Sequence, residues 1–180
     1  MSLAHALMTS LLEKPTSGYD LARRFDKSIG HFWQATHQQI YRELARMEDD
    51  GWIQSETAPD GGKTRKRLYS VLPAGETALR AWAQTPAPPS DMRDELMVRL
   101  RADAVLGPLG LENELQRRID EHHTNMARYQ AIEARDFPAN APRTRAERIQ
   151  HTILQTGIAY EASWAHWCTQ ALAVLQTPDD

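Results

Sequence analysis

The sequence predicts a mainly α-helical chain with one small β-hairpin: an N-terminal winged helix-turn-helix followed by an all-helical C-terminal domain. Three observations carry this. Apolar residues recur every three or four positions over most of the 180 residues, the period of a helix with one buried face. The period falls to two only on either side of Asp60-Gly61-Gly62, a hairpin turn signal. Three prolines within residues 86–89 cannot continue a helix and favour an extended connection. The expected partition is a winged helix over 1–85, a Pro-rich linker over 86–91, and a helical domain over 92–180 that serves dimerisation and effector binding.

Each element follows from local signals. Leu3, Leu7, Leu11 and Leu12 space a first helix that ends at "KPTSG". Ser17 suits the N-cap of a second helix, with Tyr19, Leu21, Ala22 and Phe25 on one side. A third helix runs from an N-cap at Thr36 to a stop at Gly51. "WIQSET" and "RKRLYSV" alternate as two strands, and Pro73 fits the first position of a fourth helix.

Beyond the linker, "DELMVRLRADAVL" reads as a short helix. Leu111, Leu115, Ile119, His122, Met126, Tyr129 and Ile132 mark a long one of about six turns. A break at "DFPANAPRT" precedes a last helix with two apolar rows. One row is Ile149, Ile153, Thr156, Tyr160, Ser163, Trp167, Ala171 and Val174; the other is Leu154, Ile158, Trp164, Cys168, Leu172 and Leu175. A single intramolecular neighbour covers one row, so the other calls for a second subunit. Ile149, Ile153, Ile158, Trp164 and Leu172 are the expected dimerisation residues.

Composition narrows the function classes. Net charge is −3, which carries no global nucleic-acid signature. Residues 1–85 hold 11 Lys+Arg against 10 Asp+Glu, and the rest hold 10 against 14. Any basic surface must therefore come from local clustering. No apolar run is long enough for a transmembrane helix, and the N-terminus lacks the pattern of a signal peptide. With one cysteine, Cys168, a reducing cytoplasmic setting and no membrane partner are expected. No metal-ligand spacing, nucleophile motif or phosphate-binding loop occurs. Adjacent His122 and His123 diverge by about 100° on a helix, so no catalytic residue, metal or cofactor is expected.

Two stretches invite a binding role. With Ile40, Leu44 and Met47 facing the core, the third helix presents Gln38, Arg42, Ala45, Arg46 and Asp49 outward, with Gln39 and Tyr41 on its flanks. Gln and Arg make paired hydrogen bonds to base edges. The acidic end at Glu48–Asp50 lies away from the N-terminal part with which a recognition helix reads. The plain alternative is a solvated amphipathic helix. The basic run "KTRKR", Lys63–Arg67, follows the turn on the second arm of the hairpin. A wing placed there meets phosphates with salt-sensitive, sequence-independent attraction; otherwise it is a solvated face. Tyr160, Trp164 and Trp167, with His122, would line an aromatic effector pocket. Core or interface packing is the alternative for that group.

These stretches together resemble the PadR family of transcriptional regulators. "ALMTSLLEKPTSGYDLARRF" is similar to the family's opening, "HFWQATHQQIYRELARMEDDGWI" to its helix-turn-helix core, and "RKRLYSVLPAGETAL" to its wing strand and following helix. "DELMVRLRADAVLG" resembles the start of the C-terminal dimerisation region of longer members. Leu72 stands where the family has a capping Thr. The resemblance implies a homodimer bound to double-stranded DNA at an inverted repeat, usually a repressor, released in some members by small molecules such as phenolic acids. By position, Tyr41, Tyr19, Lys66 and Arg67 match family residues in the recognition helix, the second helix and the wing.

The expected DNA-facing set is therefore Ser17, Tyr19 and Arg24 near phosphates; His37, Gln38, Gln39, Tyr41, Arg42 and Arg46 at the groove; and Lys63, Arg65, Lys66 and Arg67 on the wing. The competing readings are a winged-helix adaptor that binds protein rather than DNA, and an activator rather than a repressor.

Overall fold

The computed structural model describes residues 2–26, 35–57, 67–88 and 92–177. The chain divides into two compact units, Met1–Pro89 and Ser90–Asp180. The first contains α1 (Ser2–Glu13), β1 (Thr16–Ser17), α2 (Gly18–Asp26), α3 (His37–Asp49), β2 (Ile53–Thr57), β3 (Arg67–Val71) and α4 (Pro73–Gln84). Its core joins the inner faces of three helices to the foot of the sheet: Leu7, Met8, Leu11, Leu21, Phe25, Ile40, Leu44, Met47 and Ile53 are fully buried.

The helix starts follow the expected chemistry. Thr36 caps α3 through a reciprocal capping box with Gln39. Gly51 takes φ +70° just past the end of α3, a conformation that favours glycine. α4 begins at Pro73 although Leu72 supplies no side-chain cap, because Pro73 sets the backbone and has no N–H to satisfy.

Three expectations are corrected. The sheet has three strands, in the order β1-β3-β2 and antiparallel throughout. Thr16 and Ser17 pair with Tyr69 and Leu68 on the free edge of β3; two polar residues show no alternation from which a strand could be read. Tyr19 is 56% exposed rather than part of the α2 stripe. It lies about 115° around the helix from the centre of Leu21, Ala22 and Phe25 at 100° per residue. Leu12 is also exposed, since Ala4, Leu7, Met8 and Leu11 already complete the buried face of α1.

The second unit is helical: α5 (Glu95–Leu106), α6 (Glu112–Asp136) and α7 (Arg145–Gln176). α6 and α7 run antiparallel, since His122 meets Glu161 while Glu133 meets His151. Thr144 and Glu147 close a capping box at the start of α7. The core is thin. Leu96, Leu115, Ile119 and Cys168 form its buried cluster, with Leu100, Trp164, Trp167, Ala171, Leu172 and Leu175 packed around it.

The two rows of α7 separate over its N-terminal half only, because Trp167 and Ala171 of the first row turn in against the unit's own cluster. Leu154, Ile158, Trp164, Leu172 and Leu175 are half-buried and Cys168 is buried. Ile149, Ile153, Tyr160 and Val174 are exposed. Of the expected dimerisation residues, Ile149 and Ile153 are thus on the open face. Trp164 and Leu172 pack against the unit's own cluster. Periodicity gives two rows without saying which one α6 covers. Among the described residues no helix is long and apolar enough to cross a membrane.

Candidate nucleic-acid interface

α3 has one closed face and one open face. Ile40, Leu44 and Met47 are fully buried, while His37, Gln38, Gln39, Tyr41, Arg42, Ala45 and Arg46 are exposed. Tyr41 lies against Gly18 at the start of α2. A Cβ at Gly18 would come within 2.8 Å of Tyr41 Cε1, so the glycine lets the ring settle on the helix beside it.

Polar contacts divide the expected set into groups left open to a partner and groups used within the fold. Arg42 carries no ion pair among the described residues. Gln39 is partly used: its carboxamide oxygen accepts the Thr36 N–H at 2.8 Å. Arg46 is held by Glu43 at 2.6 Å and Asp50 at 2.8 Å, and lies 5.6 Å over the Trp52 ring. Its hydrogen bond to Glu43 raises its pKa further. Arg24 donates to the Ser10 and Lys14 carbonyls at the end of α1 and to Ser10 Oγ, satisfying acceptors that a helix end leaves open. Ser17 is buried; its Oγ accepts the Asp20 N–H at 3.1 Å and donates to the Asp20 carboxylate at 2.7 Å. Ser17 and Arg24 thus build the helix-turn-helix. Tyr19 is exposed, with the Arg23 guanidinium 5.7 Å from its ring centroid.

Of the wing cations, Lys63, Arg65 and Lys66 lie outside the described residues. Arg67 is described and is bound by Glu48 at 3.0 Å. Burial pushes the pKa of neighbouring Tyr69 up. Sequence reading placed Glu48 only in the acidic end of α3, and did not single out Ser55, Trp52 or His5. His5 stacks on Trp82 at 4.4 Å and lies 6.1 Å from Trp52. Such contacts bridge residues far apart in the chain and leave no local periodic signal.

In the second unit the four expected effector residues do come together. His122 stacks on Trp164 at 5.9 Å and meets Tyr160 edge-on at 6.5 Å. Trp164 and Trp167 are perpendicular at 5.3 Å. His122 Nδ1 is 2.5 Å from the buried Glu161 carboxylate, so that imidazole edge is occupied. Tyr160 is exposed, yet partial burial and the nearby Glu161 raise its phenol pKa. The nearby Arg118 is committed to Asp94 and Glu114. Burial also raises the Cys168 thiol, which disfavours the reactive thiolate.

Comparison with known proteins accounts for both units. Residues 7–81 match the model of the transcriptional regulator PadR-like family, and residues 92–176 match the one described as virulence activator alpha C-term. A probable transcriptional regulator of Mycobacterium tuberculosis is 35% identical, covering 98% of each chain. The structure of the Vibrio cholerae virulence activator AphA is similar, with TM-score 0.80, 31% identity and coverage of 97% of this chain and 98% of that one. The negative transcriptional regulator PadR of Bacillus subtilis is 26% identical over 96% of this chain and 97% of its own. Its structure with operator DNA superposes with TM-score 0.84 at 24% identity, covering 97% and 98% of the two chains. Its structure with p-coumaric acid does so with TM-score 0.76 at 21% identity, covering 98% and 96%. The chain therefore belongs to the PadR-like family of transcriptional regulators, which is not a family of enzymes.

Proposed function

We propose that this protein is a homodimeric, sequence-specific DNA-binding repressor that reads an inverted-repeat operator through α3. The observation that carries this is the open face of α3: Gln38 and Arg42 stand exposed on a helix whose opposite face is fully buried. Such a helix can enter a major groove without unfolding anything. Gln38 and Arg42 make the base contacts, flanked by His37 and Tyr41. Tyr19 stands near the phosphates, and Lys63, Arg65 and Lys66 add backbone attraction. Ile149 and Ile153, apolar and exposed on α7, lie in the dimer interface and set the spacing of the two reading helices.

The sign of regulation follows the Bacillus subtilis relative, a negative regulator. Activation is the second reading, favoured by the similarity to the Vibrio cholerae activator and by the C-terminal family match. A small aromatic effector, binding against Tyr160 and Trp164, shifts the dimer toward the arrangement that does not fit DNA. The relative solved with p-coumaric acid supports this class of ligand.

The test is fluorescence anisotropy on a duplex from upstream of the protein's own gene, against a random duplex. Arg42→Ala is expected to weaken the specific complex by about 1–3 kcal/mol, roughly 5- to 150-fold, and to change random binding far less. Equal losses on both duplexes would remove base reading from Arg42. A reporter fused to the same upstream region decides the sign, and a thermal-shift measurement with p-coumaric acid tests the effector.

A further inference from the structure

Glu48 sits on the C-terminal half of α3 and reaches across to both strands of the wing. One carboxylate oxygen accepts the Ser55 N–H at 3.1 Å and the Ser55 hydroxyl at 2.5 Å. The same oxygen and its twin accept Arg67 Nη2 at 3.0 and 3.1 Å. Ser55 is on β2 and Arg67 on β3, where they pair with Tyr69 and Thr57 respectively. The Tyr69 ring lies 5.9 Å from the Arg67 guanidinium. A single side chain of the reading helix therefore clasps both arms of the hairpin and holds the first cation of β3.

We infer that Glu48 is a positioning residue for DNA recognition: it fixes the wing to the reading helix and withholds Arg67 from the phosphate backbone. The inference rests on the reading that α3 and the wing face DNA. An arginine already neutralised by a carboxylate displaces no counterion from DNA, so it adds nothing to the salt-dependent, sequence-blind part of binding. Arg46 is treated alike by Glu43 and Asp50. The acidic end of α3 thus absorbs two cations next to the reading head. Toward its N-terminal part α3 shows DNA Arg42 and hydrogen-bonding groups, with exposed Asp49 at the far end, which favours base discrimination over general attraction.

Glutamine cannot replace this carboxylate. Its one acceptor oxygen can still serve Ser55, but it puts an NH2 where the second oxygen of Glu48 accepts Arg67, and it removes the charge that neutralises the guanidinium. With Glu48→Gln, Arg67 is released to a phosphate. The plot of log affinity against log salt, from about 50 to 200 mM, should steepen by about 0.9. Random-duplex binding should tighten and the operator-to-random ratio should fall. Arg67→Ala in the wild-type background should leave the slope unchanged. The double variant should return the slope to the wild-type value while operator affinity stays reduced, an Arg67-dependent reversal that general loss of structure cannot produce.

An unchanged slope for Glu48→Gln, or a slope that flattens by about 0.9 for Arg67→Ala alone, overturns the inference while the DNA reading stands. If Glu48→Gln does not fold, Arg67→Ala alone decides, since it tests directly whether Arg67 meets a phosphate. Wild-type protein that binds neither duplex overturns the DNA reading and this inference with it.

Discussion

Gly75→Ala is expected to destabilise the first unit even though alanine is the better helix former. Gly75 is buried in the first turn of α4. A Cβ there would sit 2.3 Å from the Trp52 carbonyl oxygen, 3.0 Å from its carbon and 3.0 Å from Val71 Cγ1. The oxygen is main chain, accepts the Leu72 N–H at 2.9 Å, and cannot rotate away. An ordinary carbon–oxygen contact is about 1 Å longer than this, so α4 must move off the sheet. Overpacking of this kind costs about 1–3 kcal/mol, and loosening the Leu72 hydrogen bond adds about 0.5–1.5 kcal/mol. Helix propensity returns about 1 kcal/mol. The net loss is about 0.5–3.5 kcal/mol, and in a unit of this size each kcal/mol lowers Tm by roughly 4–8 °C. Thermal unfolding of the full chain, followed by far-UV circular dichroism, should show the first unit melting earlier. An unchanged or raised Tm would refute the close approach of α4 to Trp52.

Two further predictions concern the second unit. Hydrogen bonds from Arg117 and Arg118 depress the Glu114 carboxyl to about 2. A depressed folded pKa adds stability that is present above the unfolded value near 4.5 and is lost as pH falls toward 2. Glu114→Gln should therefore flatten the acid limb of the melting-temperature profile; an unaltered limb would show that the pairs contribute nothing. A chain cut after Pro86 should sediment as a monomer, and Ile149→Asp with Ile153→Asp should do the same to the full-length protein. A dimer surviving either change would place the subunit contact elsewhere.

The fold was legible wherever one face of an element is apolar. Ile40, Leu44 and Met47 declared the inner side of α3, and Thr36 and Pro73 its cap and the start of α4. β1 was not legible, because two residues show no period and their strand character comes wholly from pairing with β3. The site was legible by residue type and not by commitment. Arg24, Arg42, Arg46 and Arg67 are equivalent cations in a sequence. In the fold Arg24 closes the end of α1, Arg46 and Arg67 are bound by carboxylates of α3, and Arg42 has no ion pair among the described residues. Those partners lie up to 19 residues away, beyond what spacing alone can order. In α7 the two apolar rows were readable, but which residues of each pack inward was decided by the neighbouring helices, and Trp167 and Ala171 of one row join Trp164 and Leu172 of the other on the same cluster.

The thin core of the second unit has a consequence for how much of the protein survives in a cell. Its buried cluster is Leu96, Leu115, Ile119 and Cys168, while Val98, Val105, Leu106, Ile149, Ile153 and Val174 stand exposed. If those open apolar side chains are covered only by a second copy, folding and pairing become one equilibrium governed by mass action. Stability then rises with the number of chains present. A freshly made, unpaired copy is the form a protease meets first, and each additional copy shelters the others. In a regulator built this way, stability would depend on its own concentration through the open apolar faces of α5 and α7, independent of any operator.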